Sequence, residues 1–150
     1  MAHAEIEEVW PREGRVRLDG SLIDAAPGGR LLELRCTAPP SRSLLHRAAA
    51  RVLRGPRLRR FPAVVEGTLF STTFPVSAFA RPRPWPEWEM YLVPLAAGSP
   101  AAELRLGRHL DDVPKKAEVY VYPAQKARGV RVKPVFTDGD HLALRCRRAR

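Results

Sequence analysis

Apolar and charged residues alternate with a period of two in several short segments. A half-buried strand requires that spacing, because its successive side chains leave opposite faces. Val16 and Leu18 sit between Arg15, Arg17 and Asp19; Leu32, Leu34 and Cys36 flank Glu33 and Arg35; Leu142, Leu144 and Cys146 flank Arg145 and Arg147. Each segment turns one face to a core. Further strands are expected at Ile6 to Trp10, Ala63 to Phe74, Trp88 to Leu95, Glu103 to Leu106, Glu118 to Tyr122 and Val130 to Phe136. Gly98-Ser99 and Asp138-Gly139 read as hairpin turns between antiparallel neighbours. About nine strands with frequent Pro and Gly punctuation predict a mainly β domain over residues 1–150. An antiparallel, immunoglobulin-like β-sandwich is preferred, with a barrel as the alternative.

One segment departs from the period of two. From Ser43 to Arg54 the apolar positions Leu44, Leu45, Ala48, Ala49, Val52 and Leu53 recur at helical spacing, with Arg47, Arg51 and Arg54 on the remaining surface. Ser43 would cap such a helix and Gly55-Pro56 would end it. The alternative is a long inter-strand loop, since short alanine-rich helices are marginal unless packed. The Arg81 to Pro86 stretch is proline-rich and reads as a connector or sheet edge.

Length and charge narrow the picture. The chain has 150 residues, enough to bury a core without staples, and its two cysteines, Cys36 and Cys146, form no disulfide framework. Both lie on the inward parity of their strands. The longest apolar stretches, such as Tyr91 to Ala97, fall far short of the ~20 residues of a membrane-spanning helix. Glu5, Glu7 and Glu8 stand where a signal peptide would carry a basic head and an apolar run, so a cytoplasmic location is expected. The formal charge is +10, supplied mostly by arginine. Such an excess attracts anionic partners: nucleic acid, anionic polymer, or an anionic lipid surface contacted peripherally.

The basic charge concentrates locally. Arg42, Arg47, Arg51, Arg54, Arg57, Arg59 and Arg60 follow one another without an intervening acidic residue, and Arg145, Arg147, Arg148 and Arg150 repeat the theme at the C-terminus. Guanidinium groups bind phosphate bidentately and stay charged at any relevant pH, so the run of residues 42–60 is the candidate anion site. A solvated loop that serves solubility is the plainer reading of the same run. Trp85, Trp88 and Tyr91 form the one dense aromatic cluster. Trp88 shares a strand face with Met90 and Leu92 and belongs to the core, which leaves Trp85 as the candidate for stacking on a sugar.

No catalytic or metal motif stands out. His3, His46, His109 and His141 are not at metal-ligand spacing, and no nucleophile elbow or phosphate loop is present. His109 with Asp111 and Asp112 could be drawn as an acid-base pair, but these residues sit beside Pro114 in a turn, where exposed His and Asp are common. The expectation is a non-enzymatic protein without a cofactor.

Several patterns in order carry a resemblance. They are Trp10 with Gly14-Arg15-Val16-Arg17-Leu18, Phe74-Pro75-Val76 leading into Trp88-Glu89-Met90-Tyr91-Leu92, Leu104-Arg105-Leu106-Gly107-Arg108, and Val132-Lys133-Pro134-Val135-Phe136-Thr137 with Leu142-Ala143-Leu144. Together they resemble the β-sandwich accessory domains of actinobacterial cell-envelope glycosyltransferases and of CDP-glycerol glycerophosphotransferases of the teichoic-acid type. The resemblance implies a substrate-holding or assembly role beside a catalytic domain, with an anionic glycan or glycerol-phosphate polymer, or the glycosyltransferase itself, as partner. The 150 residues carry no transferase domain, and the arginine-rich insertion is a departure from the family's pattern. Sequence-nonspecific nucleic-acid binding by the same arginines is the alternative function.

Overall fold

The computed structural model describes residues 1–36, 58–81, 84–96, 98–99 and 101–149, so the candidate helix at 43–54 lies outside the described residues. Ten strands are present among the described residues: β1 (His3–Arg12), β2 (Arg15–Ile23), β3 (Arg30–Cys36), β4 (Leu58–Glu66), β5 (Leu69–Pro75), β6 (Glu87–Pro94), β7 (Leu104–Gly107), β8 (Gln125–Ala127), β9 (Val130–Phe136) and β10 (Leu142–Arg148). A 3₁₀ turn spans Val76–Phe79, and a single helical turn, α1, spans Lys116–Val119.

Seven of the strands close on themselves in the order β3-β4-β5-β2-β1-β7-β6, and β6 returns to β3. The architecture is therefore a closed β-barrel with three extra strands, and the expected nine-stranded sandwich is wrong. Two non-local pairings make the difference. Strand β3 runs antiparallel to β6 over its whole length, from Arg30 opposite Pro94 to Cys36 opposite Trp88. Strand β1 meets β7 in a short parallel pairing, Ala4 beside Leu106 and Glu5 beside Gly107. Closure leaves no free edge in the ring.

The extra strands leave the ring at β6. Its Tyr91 and Leu92 pair with β7, while Glu87 to Glu89 on the same edge pair with Ala143 to Arg145 of β10. β9 then pairs with β10, and β8 with β9. Both expected hairpins are present, β6-β7 and β9-β10. The Ala63 to Phe74 run is two strands split at Gly67, whose φ of +61° suits the turn between them. The expected strand at Glu118 to Tyr122 begins instead in α1, and Tyr120 and Tyr122 lean on Phe136 with ring centroids 5.7 and 6.3 Å away.

Inside the ring, Leu18, Leu32, Leu34, Met90, Leu92 and Leu104 are fully buried. Phe61 stacks on Phe74, Phe74 meets Phe79 edge-on, and Phe79 meets Trp88 in the same way, a chain of rings at 5.4, 5.7 and 5.1 Å. Edge-to-face contacts of this kind add to the stabilisation given by burial. A bulge takes Glu7 out of the β1-β2 ladder between Ile6 and Glu8. Gly20 lies opposite Ile6, where a Cβ would stand 2.0 Å from the Glu5 carbonyl oxygen, so only glycine lets the two backbones approach this closely.

Candidate polyanion-binding face

Directly paired residues in an antiparallel ladder share a face. Lys126 of β8 is paired with Arg131 of β9, and Arg131 with Arg147 of β10. Two residues further along, Lys133 of β9 is paired with Arg145, and Arg145 with Glu87 of β6. The rows lie on one face, because alternate residues of a strand point the same way. Five cations and one carboxylate thus form a grid, with strands about 4.8 Å apart and rows about 6.8 Å apart. Val130, Val132, Leu144 and Cys146 occupy the opposite parity and are buried, which fixes the basic face outward.

Lys126, Arg131 and Arg147 are exposed, and Lys133 and Arg145 half-buried. The ion pairs among the described residues engage other cations: Arg17 with Asp19, Arg35 and Arg60 with Glu33, Arg105 with Glu89, Arg108 and Lys116 with Asp111. Like charges directly opposite one another oppose sheet formation. Their presence in three consecutive strands is the clearest electrostatic anomaly on this surface. Alternation in the sequence places Arg131, Lys133, Arg145 and Arg147 outward, but the shared face depends on register, and β8 with its Lys126 has too little pattern to be seen in advance.

The residues first expected to bind anions are distributed differently. Arg42, Arg47, Arg51, Arg54 and Arg57 lie outside the described residues. That segment joins Cys36, at the end of β3, to Leu58, at the start of β4. Arg60 donates to Glu33 at 2.8 Å, and Arg35 donates to the same carboxylate at 2.5 Å. Burial pushes the Glu33 carboxyl up, but the hydrogen bonds from Arg60 and Arg35 outweigh it and bring it below its ordinary value. Arg59 shares the inward parity of Phe61, donates to the Ala78 carbonyl at 3.2 Å and lies 5.7 Å from the Trp88 ring. Both arginines are thus engaged within the barrel wall.

Trp85 does not stand at the surface. It is only 1% exposed and belongs to the core cluster, so its ring is closed to a sugar. Its proline-rich surroundings suggested a connector, but burial of the indole outweighs the local composition. Trp88 is equally buried, in line with its strand parity.

His109, His3 and His141 are far apart in sequence and form one row, His3 to His109 and His109 to His141 each at 5.0 Å between ring centroids. Glu5, itself buried, accepts from His3 Nε2 at 2.9 Å and from the backbone N–H groups of His109 and Leu110 at 2.8 and 3.2 Å. Its carboxylate therefore anchors the loop that leaves β7. Asp111 receives Arg108, Lys116 Nζ at 2.9 Å and Tyr120 Oη at 3.1 Å. Arg108 first and Lys116 second hold its carboxyl well below the usual range. The acid-base pair drawn from His109 and Asp111 is thus divided between two structural networks. Among the described residues no group of three or more His, Cys, Asp or Glu is arranged to hold a metal ion. None of the described helices is long and apolar enough to cross a membrane.

No protein-family model and no curated protein matches this sequence.

Proposed function

We propose that the chain is a non-catalytic binding module for a phosphodiester polymer, of the glycerol-phosphate kind first. The observation that carries the reading is the row of Lys126, Arg131 and Arg147, three cations directly opposite one another across three strands with no acidic partner among the described residues. Bound phosphates would neutralise a repulsion that the fold otherwise sustains, and would release counterions in doing so. Lys133 and Arg145 extend the grid.

Among the described residues, the paired positions of this grid hold no aromatic side chain on which bases could stack. That supports a polymer without bases ahead of single-stranded nucleic acid. Docking onto an enzyme that handles such a polymer is the related role.

The test is a titration with a poly(glycerol phosphate) oligomer and with single-stranded DNA of equal charge, each at two salt concentrations. The Lys126→Ser/Arg131→Ser/Arg147→Ser variant should bind the glycerol-phosphate oligomer more weakly and lower its log-log salt slope by about three. Unchanged affinity in that variant sinks the site. Preference for DNA would instead support the nucleic-acid alternative.

A further inference from the structure

The outer face of β1 and β2 carries a second arrangement, different in character from the basic face. Trp10 is 46% exposed, while Trp85 and Trp88 are buried. It ends a cross-strand row, opposite Arg17 of β2, which in turn faces Thr73 of β5. On one side lies the pair Glu8 and Asp19; on the other lies the pair Arg12 and Arg15. These side chains line an open groove of about 550 Å³, within the roughly 300–1,000 Å³ of small-molecule sites.

The groove is preset for a ring with hydroxyl groups. Glu8 accepts the Trp10 indole N–H at 2.9 Å and so fixes the rotation of the ring. Arg17 is held against Asp19 at 3.1 Å, which puts donors and acceptors side by side next to the indole. Arg12 lies over the same ring, 5.8 Å from its centroid and within cation-π range, so a sugar that stacks on that face displaces its guanidinium. Counting Glu13, which also lines the groove, three carboxylates stand against the three guanidinium groups of Arg12, Arg15 and Arg17. A charge-balanced groove gives a polyanion no net attraction. It offers instead a flat apolar ring for the C–H face of a sugar, bordered by alternating acceptors for hydroxyl hydrogens and donors to hydroxyl oxygens.

We infer that this groove is a saccharide site, with Trp10 as the stacking platform for a neutral pyranose and Arg17, Asp19 and Glu8 as its hydroxyl-reading groups. The position is tied to the polymer-binding extension. Gln125, the residue before Lys126, accepts from the Gly14 N–H at 2.7 Å and donates to the Arg15 carbonyl at 2.7 Å, pinning β8 to the β1-β2 turn. A polymer carrying both sugar and phosphate could then use the two surfaces together. The saccharide site does not depend on the polyanion reading, and salt separates the two.

The 150-residue chain would be titrated with cellohexaose, chitohexaose and maltohexaose at low and high salt, following tryptophan fluorescence and, in parallel, heat. At least one oligosaccharide should give a saturable response of equal midpoint at both salts. Trp10→Ala should weaken it about tenfold or more, and Asp19→Asn should weaken it with the Trp10 ring still present. The Arg131→Ser/Arg147→Ser variant should leave it unchanged. Heat detection keeps Trp10→Ala readable once its fluorescence is gone, and an unchanged melting temperature shows that the variant folds. No saturable response to any of the three sugars, or a response that survives Trp10→Ala or disappears at high salt, overturns the assignment.

Discussion

Arg147 lies directly opposite Arg131 in the β9-β10 ladder, and Lys126 lies opposite Arg131 on its other side. Adjacent like charges on exposed strands cost about 0.2–1 kcal/mol each relative to neutral pairs, and salt screens the cost. Arg147→Thr should therefore raise the melting temperature at low ionic strength, by an amount that shrinks as salt is added. The same substitution should weaken polyanion binding. A thermal melt at two salt concentrations and one binding titration check both effects. If Arg147→Thr lowers stability at low salt, the repulsion is not there to be relieved.

The histidine row gives the stability a pH dependence of known sign. Burial first, and the neighbouring His3 second, lower the pKa of His109; burial first, and Arg105 second, lower that of His141. Both imidazoles therefore bind a proton less readily in the folded chain than in the unfolded one, whose value is about 6.5. Their contribution is fully present above that value and is lost as pH falls through the lowered folded values. The melting temperature should be flat above about pH 7 and fall below about pH 6.5. His109→Gln/His141→Gln should flatten the part of the curve lying above the carboxylate range. An unaltered curve would mean that these rings do not carry the effect.

Gly20 allows the closest backbone approach in β2. A Cβ there would meet the Glu5 carbonyl oxygen at 2.0 Å and the Phe70 ring at 2.8 Å. The carbonyl belongs to a paired strand and cannot withdraw without breaking the β1-β2 ladder beside the bulge. Gly20→Ala should cost about 3 kcal/mol or more, or prevent folding, because overpacking against backbone has no rotamer escape. Denaturant unfolding measures it. A loss under about 0.5 kcal/mol, the range of neutral surface substitutions, would contradict the close approach.

The strands themselves were legible in the sequence, because period-two alternation around residues such as Val16, Leu34 and Leu144 reports which side of a strand is buried. Closure was not legible. A sandwich and a barrel share that alternation, and the ring is decided by β3 meeting β6 and β1 meeting β7, pairings that leave no local trace. Trp85 was misread because the proline content around it marks the backbone path and says nothing about where an indole goes. The basic face was half legible: Arg131, Lys133, Arg145 and Arg147 could be set outward by parity. Only the register shows that they adjoin one another and Lys126. The His3-His109-His141 row left no signal at all, since its members come from three distant segments.

Arg60 is an expected phosphate ligand on sequence grounds and Arg131 only an outward-pointing strand residue, and the structure gives them different neighbours. Arg60 lies opposite Glu33 in the β3-β4 ladder and donates to that buried carboxylate, whereas Arg131 is flanked by Lys126 and Arg147. Arg60→Ser should thus act on stability more than on binding. The Glu33 carboxyl is held below its ordinary value, so its contribution is present above the unfolded value of about 4.3 and is lost as pH falls through the folded one. Without Arg60 one of the two arginine hydrogen bonds disappears, and the loss should begin at a higher pH. At neutral pH the cost should be about 1 kcal/mol, moderated because Arg35 still holds the carboxylate and the Arg60 side chain is 59% exposed. Arg131→Ser should show the reverse, with an acid-unfolding midpoint like that of the unsubstituted chain and weaker polyanion binding. Acid titrations of both variants, paired with one affinity measurement each, separate the roles. If Arg60→Ser leaves the acid midpoint unmoved and abolishes binding, the two assignments must be exchanged.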